Sequence, residues 1–198
     1  MKRIIMHWTA GGHKANKTDK RRYHFIVEGD GTVAQGNHPP EANRHIPPGA
    51  TMDDYAAHTG KLNTGSIGVA VAAMRGAQER PFDPGPSPIT ERQLDAFCAL
   101  VARLALQYGI PLRQDTILTH AEVQPVLGVA QRGKWDITWL PGMKAPGDPR
   151  QVGHELRGRI QAHIARRETT PPAPTTPETK PGLLTALLSA LAGLFRRK

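Results

Sequence analysis

Two imidazoles and a carboxylate from separate parts of the chain form a possible ligand set for a divalent metal. His7 closes the apolar run RIIMHW, His120 closes TILTH, and Asp136 lies in RGKWDITWLPG. Brought to one edge of a sheet, they would hold a zinc ion and leave its fourth position open, where water is acidified toward neutral pH and becomes a nucleophile. That is the ligand set of a hydrolase rather than of a structural site. Spacing alone does not single out this trio, because the chain has nine histidines and neither an HExxH helix nor paired cysteines. Lys134 and Asp136 are alternate residues, so in an extended segment they share a side while Trp135 turns away to pack or to line the rim.

The elements that must position these groups are visible in the hydrophobic pattern. Residues 3–8 read as a short buried strand, and YHFIVEGDGTV at 23–33 as a hairpin turning at Gly29-Asp30-Gly31. SIGVAVAAM at 66–74 is a third strand, and TILTH at 116–120 a fourth that ends on His120. Between them, residues 90–108 carry apolar groups at helical spacing (Leu94, Phe97, Cys98, Val101, Leu104), opened by Thr90-Glu91 and stopped by Gly109 before Pro111. A polar, basic helix follows at 149–167. The expected fold class is α/β (α+β): one mixed central β-sheet flanked by helices.

The chain has 198 residues, 18 of them proline, and a net charge of +9 with a pI near 10.1. Its length suits one folded domain, expected over 1–167, plus unstructured sequence. ETTPPAPTTPETKP, within 168–181, cannot bury an apolar face and reads as an extended linker. GLLTALLSALAGLFRRK at 182–198 reads as an apolar helix with a basic end. Its fourteen apolar-run residues reach about 21 Å, short of a bilayer's roughly 30 Å. An interfacial helix is expected, with Leu183, Leu187, Leu191 and Phe195 toward lipid and Arg196, Arg197 and Lys198 at anionic headgroups; packing on protein is the alternative. Cys98 is read as a buried thiol. The N-terminus lacks the apolar stretch of a signal peptide, so the protein is expected to be made and kept in the cytoplasm unless something else releases it.

The segments IIMHWTA, YHFIVEGDGTV, AHTGKLNTGSIGVAV, THAEV and GKWD follow one another in the order and approximate spacing of the zinc N-acetylmuramoyl-L-alanine amidases. The chain resembles this superfamily of phage lysozyme-type amidases and peptidoglycan recognition proteins over roughly residues 1–165. The resemblance implies one zinc held by His7, His120 and Asp136, and cleavage of the amide between the lactyl group of N-acetylmuramic acid and L-alanine. Tyr23 matches the family's catalytic tyrosine, and Lys134 the lysine that stabilises the oxyanion, a role suited to a cation aimed at developing negative charge. One departure stands out. Phage members with tyrosine at this position often use cysteine as third ligand, and members with aspartate there often replace the tyrosine by glutamate. This chain combines tyrosine with aspartate, which leaves the general base open and brings in Glu122, close to His120, as a supporting candidate.

His58, Asn63, Thr64 and Trp135 are expected along the substrate groove, although a turn-forming asparagine would look the same. His24 alternates with Tyr23 and is read as structural; His13, His38, His45, His154 and His163 are read as solvated. Lys14, Lys17, Lys20, Arg21 and Arg22 crowd what reads as a basic loop, either simply solvated or attracted to anionic cell wall. No aromatic stacking platform or helix-turn-helix pattern points to nucleic acid. The expected activity is that of a phage endolysin with peptidoglycan as partner. The alternatives are a non-catalytic peptidoglycan-recognition module, a cytoplasmic muropeptide-recycling amidase, and a membrane-active protein working through its tail.

Overall fold

The structure, a computed structural model, describes residues 1–169. The apolar tail and nearly all of the expected linker, including Leu183, Leu187, Leu191, Phe195, Arg196, Arg197 and Lys198, lie outside the described residues. The elements in chain order are β1 (Arg3–Trp8), α1 (Lys17–Arg22), β2 (Phe25–Val27), β3 (Val33–Gln35), a 3-10 turn (Pro40–Asn43), β4 (Ser66–Val71), α2 (Glu91–Tyr108), β5 (Ile117–Thr119), α3 (His120–Leu127) and α4 (Pro149–Thr169). The five strands form one mixed sheet in the order β3-β2-β4-β1-β5. β1 runs parallel to β4 and β5, and β2 runs parallel to β4; only the β2–β3 hairpin is antiparallel.

Central strands covered on both faces need apolar residues without alternation. β1 and β4 meet that requirement: Ile4 through Trp8 and all of Ser66–Val71 are buried. On one face Ile4, Met6, Val69 and Val71 pack with Leu94, Phe97, Cys98 and Val101 of α2 and with Val152, Leu156 and Ile160 of α4. On the other, Ile5 packs with Leu118 and Val123, and Ile26 with Ala70 and Tyr23. Cys98 is fully buried, and burial pushes its thiol up to about 12. α2 begins at Thr90, whose side chain accepts the Gln93 N–H, and stops at Gly109, whose φ of 61° is the left-handed conformation that ends helices.

Two helices depart from the expected pattern. The basic loop before Tyr23 is in part the short helix α1, opened by a reciprocal capping box between Asn16 and Asp19. His120 is not the last residue of a strand: β5 ends at Thr119, and His120 is the first residue of α3, where Thr119 and Glu122 form a second capping box. The third strand also stops at Val71, short of the expected 74.

Candidate metal centre and its cavity

His7 and His120 come to one place because β1 and β5 are parallel neighbours and both leave the sheet at the same edge. Asp136 is held there by its own backbone, whose carbonyl accepts the Ala121 N–H in the first turn of α3 at 2.6 Å. The result is a buried cluster in which Asp136 Oδ2 lies 3.1 Å from Nδ1 of His7 and 3.1 Å from Nδ1 of His120. The three candidate ligand atoms all lie within 4.8 Å of one another.

The surrounding hydrogen bonds decide what those atoms can do. Gln131 Nε2 donates to the Gly60 carbonyl at 3.1 Å, which orients the amide and aims Gln131 Oε1 at His120 Nε2, 2.9 Å away. An amide oxygen only accepts, so Nε2 of His120 carries a proton, and in the neutral imidazole Nδ1 is the nitrogen left to bind a metal. Without a metal, a proton shared between Nδ1 and Asp136 Oδ2 bridges the 3.1 Å contact, and a metal ion would take that proton's place. His7 Nε2 lies 3.2 Å from His58 Nδ1 and 3.4 Å from Thr59 Oγ1, while its Nδ1 faces Asp136. The donor set and its supports fit a zinc ion, which takes neutral imidazole and carboxylate ligands and relies on hydrogen bonds behind them.

Electrostatics agree. Burial, reinforced by the neighbouring His120, lowers His7 to about 4, so it is neutral at pH 7. Burial alone would raise Asp136, but its hydrogen bonds with His120 and His7 outweigh that and hold it well below the usual carboxylate range. The neutral histidine and charged aspartate are the protonation states a metal requires.

The cluster opens into a cavity of about 650 Å³, lined by residues that include Tyr23, His58, Asn63, Gln131, Lys134 and Asp136. Residues 1–148 match the family model described as N-acetylmuramoyl-L-alanine amidase. The chain belongs to the N-acetylmuramoyl-L-alanine amidase family.

Other similarities of this amidase-family chain are distant. It resembles the amidase LysC of Clostridium intestinale URNW at 18% identity, covering 81% of this chain and 85% of that one with a TM-score of 0.47. The endolysin of the Thermus scotoductus bacteriophage Ph2119 shares 20% identity over 61% of this chain and 71% of its own, with a TM-score of 0.40. Bumblebee peptidoglycan recognition protein SA shares 18% over 77% and 80%, with a TM-score of 0.43. No curated protein matches the chain.

Within the amidase cavity, Tyr23 is buried, its ring centroid is 5.1 Å from that of His7, and its hydroxyl donates to the Trp8 carbonyl at 3.4 Å. Burial and the nearby Asp136 charge push its phenol far up, so it stays protonated and offers a hydrogen-bond donor rather than a base. Lys134 is exposed, lines the cavity and makes no ion pair among the described residues. Trp135 turns to the neighbouring cavity and packs edge-on against Trp8, with centroids 4.6 Å apart. His58 is buried under the cavity floor, in a slot that exists because residue 68 is glycine: a Cβ there would come within 2.4 Å of its ring. Asn63 shapes the rim, its side-chain oxygen accepting the His58 and Thr59 N–H groups at 3.0 and 2.8 Å. Thr64 is exposed and does not line the cavity.

Glu122 has a different place from the one its spacing suggests. It is fully buried and bound by both Arg157 Nη atoms, at 2.9 and 3.0 Å, so it fastens α4 to α3 rather than supporting His120 from behind. Among the other histidines, His45 and His154 are exposed. His13 is close to the Pro88 carbonyl at 2.8 Å, His38 to that of Met52 at 3.2 Å, and His163 to Asp95 at 3.0 Å. His24 is buried, with Nδ1 accepting the Gly68 N–H at 2.9 Å. The residues the sequence reading missed are Gln131 and Thr59, which support the histidines, and Lys61 and Arg132, which line the cavity together with Arg22 of the expected basic cluster. None stands in a motif of its own. Only the finished fold reveals them.

Proposed function

We propose that this chain is a zinc-dependent peptidoglycan amidase that hydrolyses the bond between the lactyl group of N-acetylmuramic acid and L-alanine. The observation that carries this is the convergence of three lone-pair donors on one point, with the tautomer of His120 set by Gln131. His7, His120 and Asp136 would hold the metal. When bound, zinc supplies Lewis-acid polarisation of the scissile carbonyl and brings the pKa of water toward neutrality.

The chain's own residues supply the rest. Lys134, a cation without an ion-pair partner at the cavity wall, faces the charge that develops on the carbonyl oxygen. Tyr23, protonated and beside His7, would orient the attacking water by accepting its hydrogen bond, since its own proton goes to the Trp8 carbonyl. With Tyr23 protonated and Glu122 committed to Arg157, neither is the general base. The complete donor set favours catalysis over a purely recognising module. An endolysin role, with the chain reaching the wall after release from the producing cell, is the corresponding biological proposal, supported by membership of the family.

The test is incubation of purified sacculi with the parent protein, with Asp136→Ala, and with chelated protein, reading new L-alanine amino termini by mass spectrometry and metal content by elemental analysis. The expected result is one zinc per parent chain and alanine termini that vanish in both controls. A protein that binds the wall and carries zinc yet releases no alanine termini overturns the assignment.

A further inference from the structure

Two basic residues at the cavity sit where the backbone prefers a different residue. Lys61 has φ 63° and is the third residue of a tight turn closed by the Leu62 N–H donating to the Thr59 carbonyl at 3.1 Å. A turn in which only the third residue is left-handed favours glycine or asparagine there. Arg132 and Gly133 have φ 53° and 68°, and the Lys134 N–H donates to the Gln131 carbonyl at 3.3 Å. Left-handed residues at both central positions mark a primed turn, whose first central position favours asparagine, aspartate or glycine. Long side chains in this region carry a backbone cost that persists where the side chain has a use. The two turns are far apart in sequence, yet both cations line the one cavity.

The charge around them has the same sense. Arg22, Lys61, Arg132 and Lys134 all line the cavity, and the only carboxylates among its lining residues are Asp19 and Asp136. Asp19 is buried and accepts the Asn16 N–H of the α1 cap, while Asp136 is occupied by the two histidines. No ion pair among the described residues involves Arg22, Lys61 or Arg132, whereas the surface cations Lys14, Arg21, Arg113 and Arg159 each have an acidic partner. Four exposed cations around one cavity, whose two carboxylates are already engaged, attract an anionic ligand.

We propose that Lys61 and Arg132, with Arg22, select stem peptides that present free carboxylates over peptides in which these are carboxamides; the inference rests on the amidase reading above. At about 650 Å³ the cavity is large enough to take a short peptide. In a stem peptide whose second residue is a glutamate joined through its side chain, the α-carboxylate would be free beside the scissile end, and the last residue would add another.

The experiment uses the zinc-loaded full chain and two synthetic ligands. One is N-acetylmuramoyl-L-Ala-D-γ-Glu-L-Lys with both carboxylates free, and the other is the same molecule with both as carboxamides. Parent protein is expected to favour the diacid by at least about tenfold in kcat/KM. In Lys61→Asn/Arg132→Asn that preference falls to about twofold or less, while the melting temperature is equal or higher because asparagine suits both turns. Equal use of both ligands by the parent, or a preference kept in the double variant, overturns the proposal. If neither ligand is cleaved, the sacculus assay decides the amidase reading, and calorimetric binding of the same pair decides this one. A diacid preference lost in the double variant supports it, and equal affinities overturn it.

Discussion

Two buried charged clusters lie on the first turn of α3, two residues apart. Glu122 is saturated: Oε1 accepts from Arg157 and Gln114, and Oε2 accepts from Arg157 and the Thr119 N–H. His120 differs, with one nitrogen satisfied by Gln131 and the other turned to Asp136, a carboxylate it shares with His7. A buried charge whose every site is filled holds structure together; a buried carboxylate shared between two imidazoles is a donor set that a metal could take over. The contrast separates the structural carboxylate from the chemical one, although burial alone would rank them together.

Substitutions test this contrast in opposite directions. His120→Ala is expected to reduce amide hydrolysis to background, a loss on the order of a thousandfold or more. Urea unfolding of the same metal-free variant should stay within about 1 kcal/mol of the parent. Glu122→Ala should cost about 3–5 kcal/mol in that assay, because Arg157 is left buried without its partner. The double variant Glu122→Met/Arg157→Met should recover much of the loss.

Acid should expose the other buried histidines. Burial lowers His24 to about 4, so between pH 6.5 and 4 the unfolded chain binds a proton that the folded chain does not. Its contribution is complete above pH 6.5 and disappears as pH falls toward 4, up to about 3 kcal/mol. His24→Asn, which keeps an acceptor for the Gly68 N–H, should flatten this part of the stability-versus-pH curve relative to the parent. The smallest effect is expected from Gln131→Ala: zinc affinity in a chelator competition falls about 10- to 100-fold, with the fold unchanged.

Much of the frame was readable before any coordinates. The run RIIMHW and the helical spacing of Leu94, Phe97, Val101 and Leu104 are one-dimensional patterns that survive folding as β1 and α2. α1 and α3 were missed because short helices lack a periodic apolar stripe. Their capping pairs, Asn16 with Asp19 and Thr119 with Glu122, were the available signal. That second pair also explains why Glu122 was placed beside the metal: its spacing from Thr119 encodes a cap, and Arg157, 35 residues on, completes its partnership. Gln131, Lys61 and Arg132 act through turn geometry and side-chain contacts across the fold, which no local spacing encodes.

His7 and Asp136 are 129 residues apart. On a ribosome adding roughly 5–20 residues per second, the interval between the first candidate ligand and the last is on the order of ten seconds. Throughout that interval the nascent chain carries an imidazole with no partners to complete a site. If these residues hold zinc as proposed, the site cannot be complete until β5, α3 and the loop after them have been synthesised, and a chain abandoned midway through translation has none.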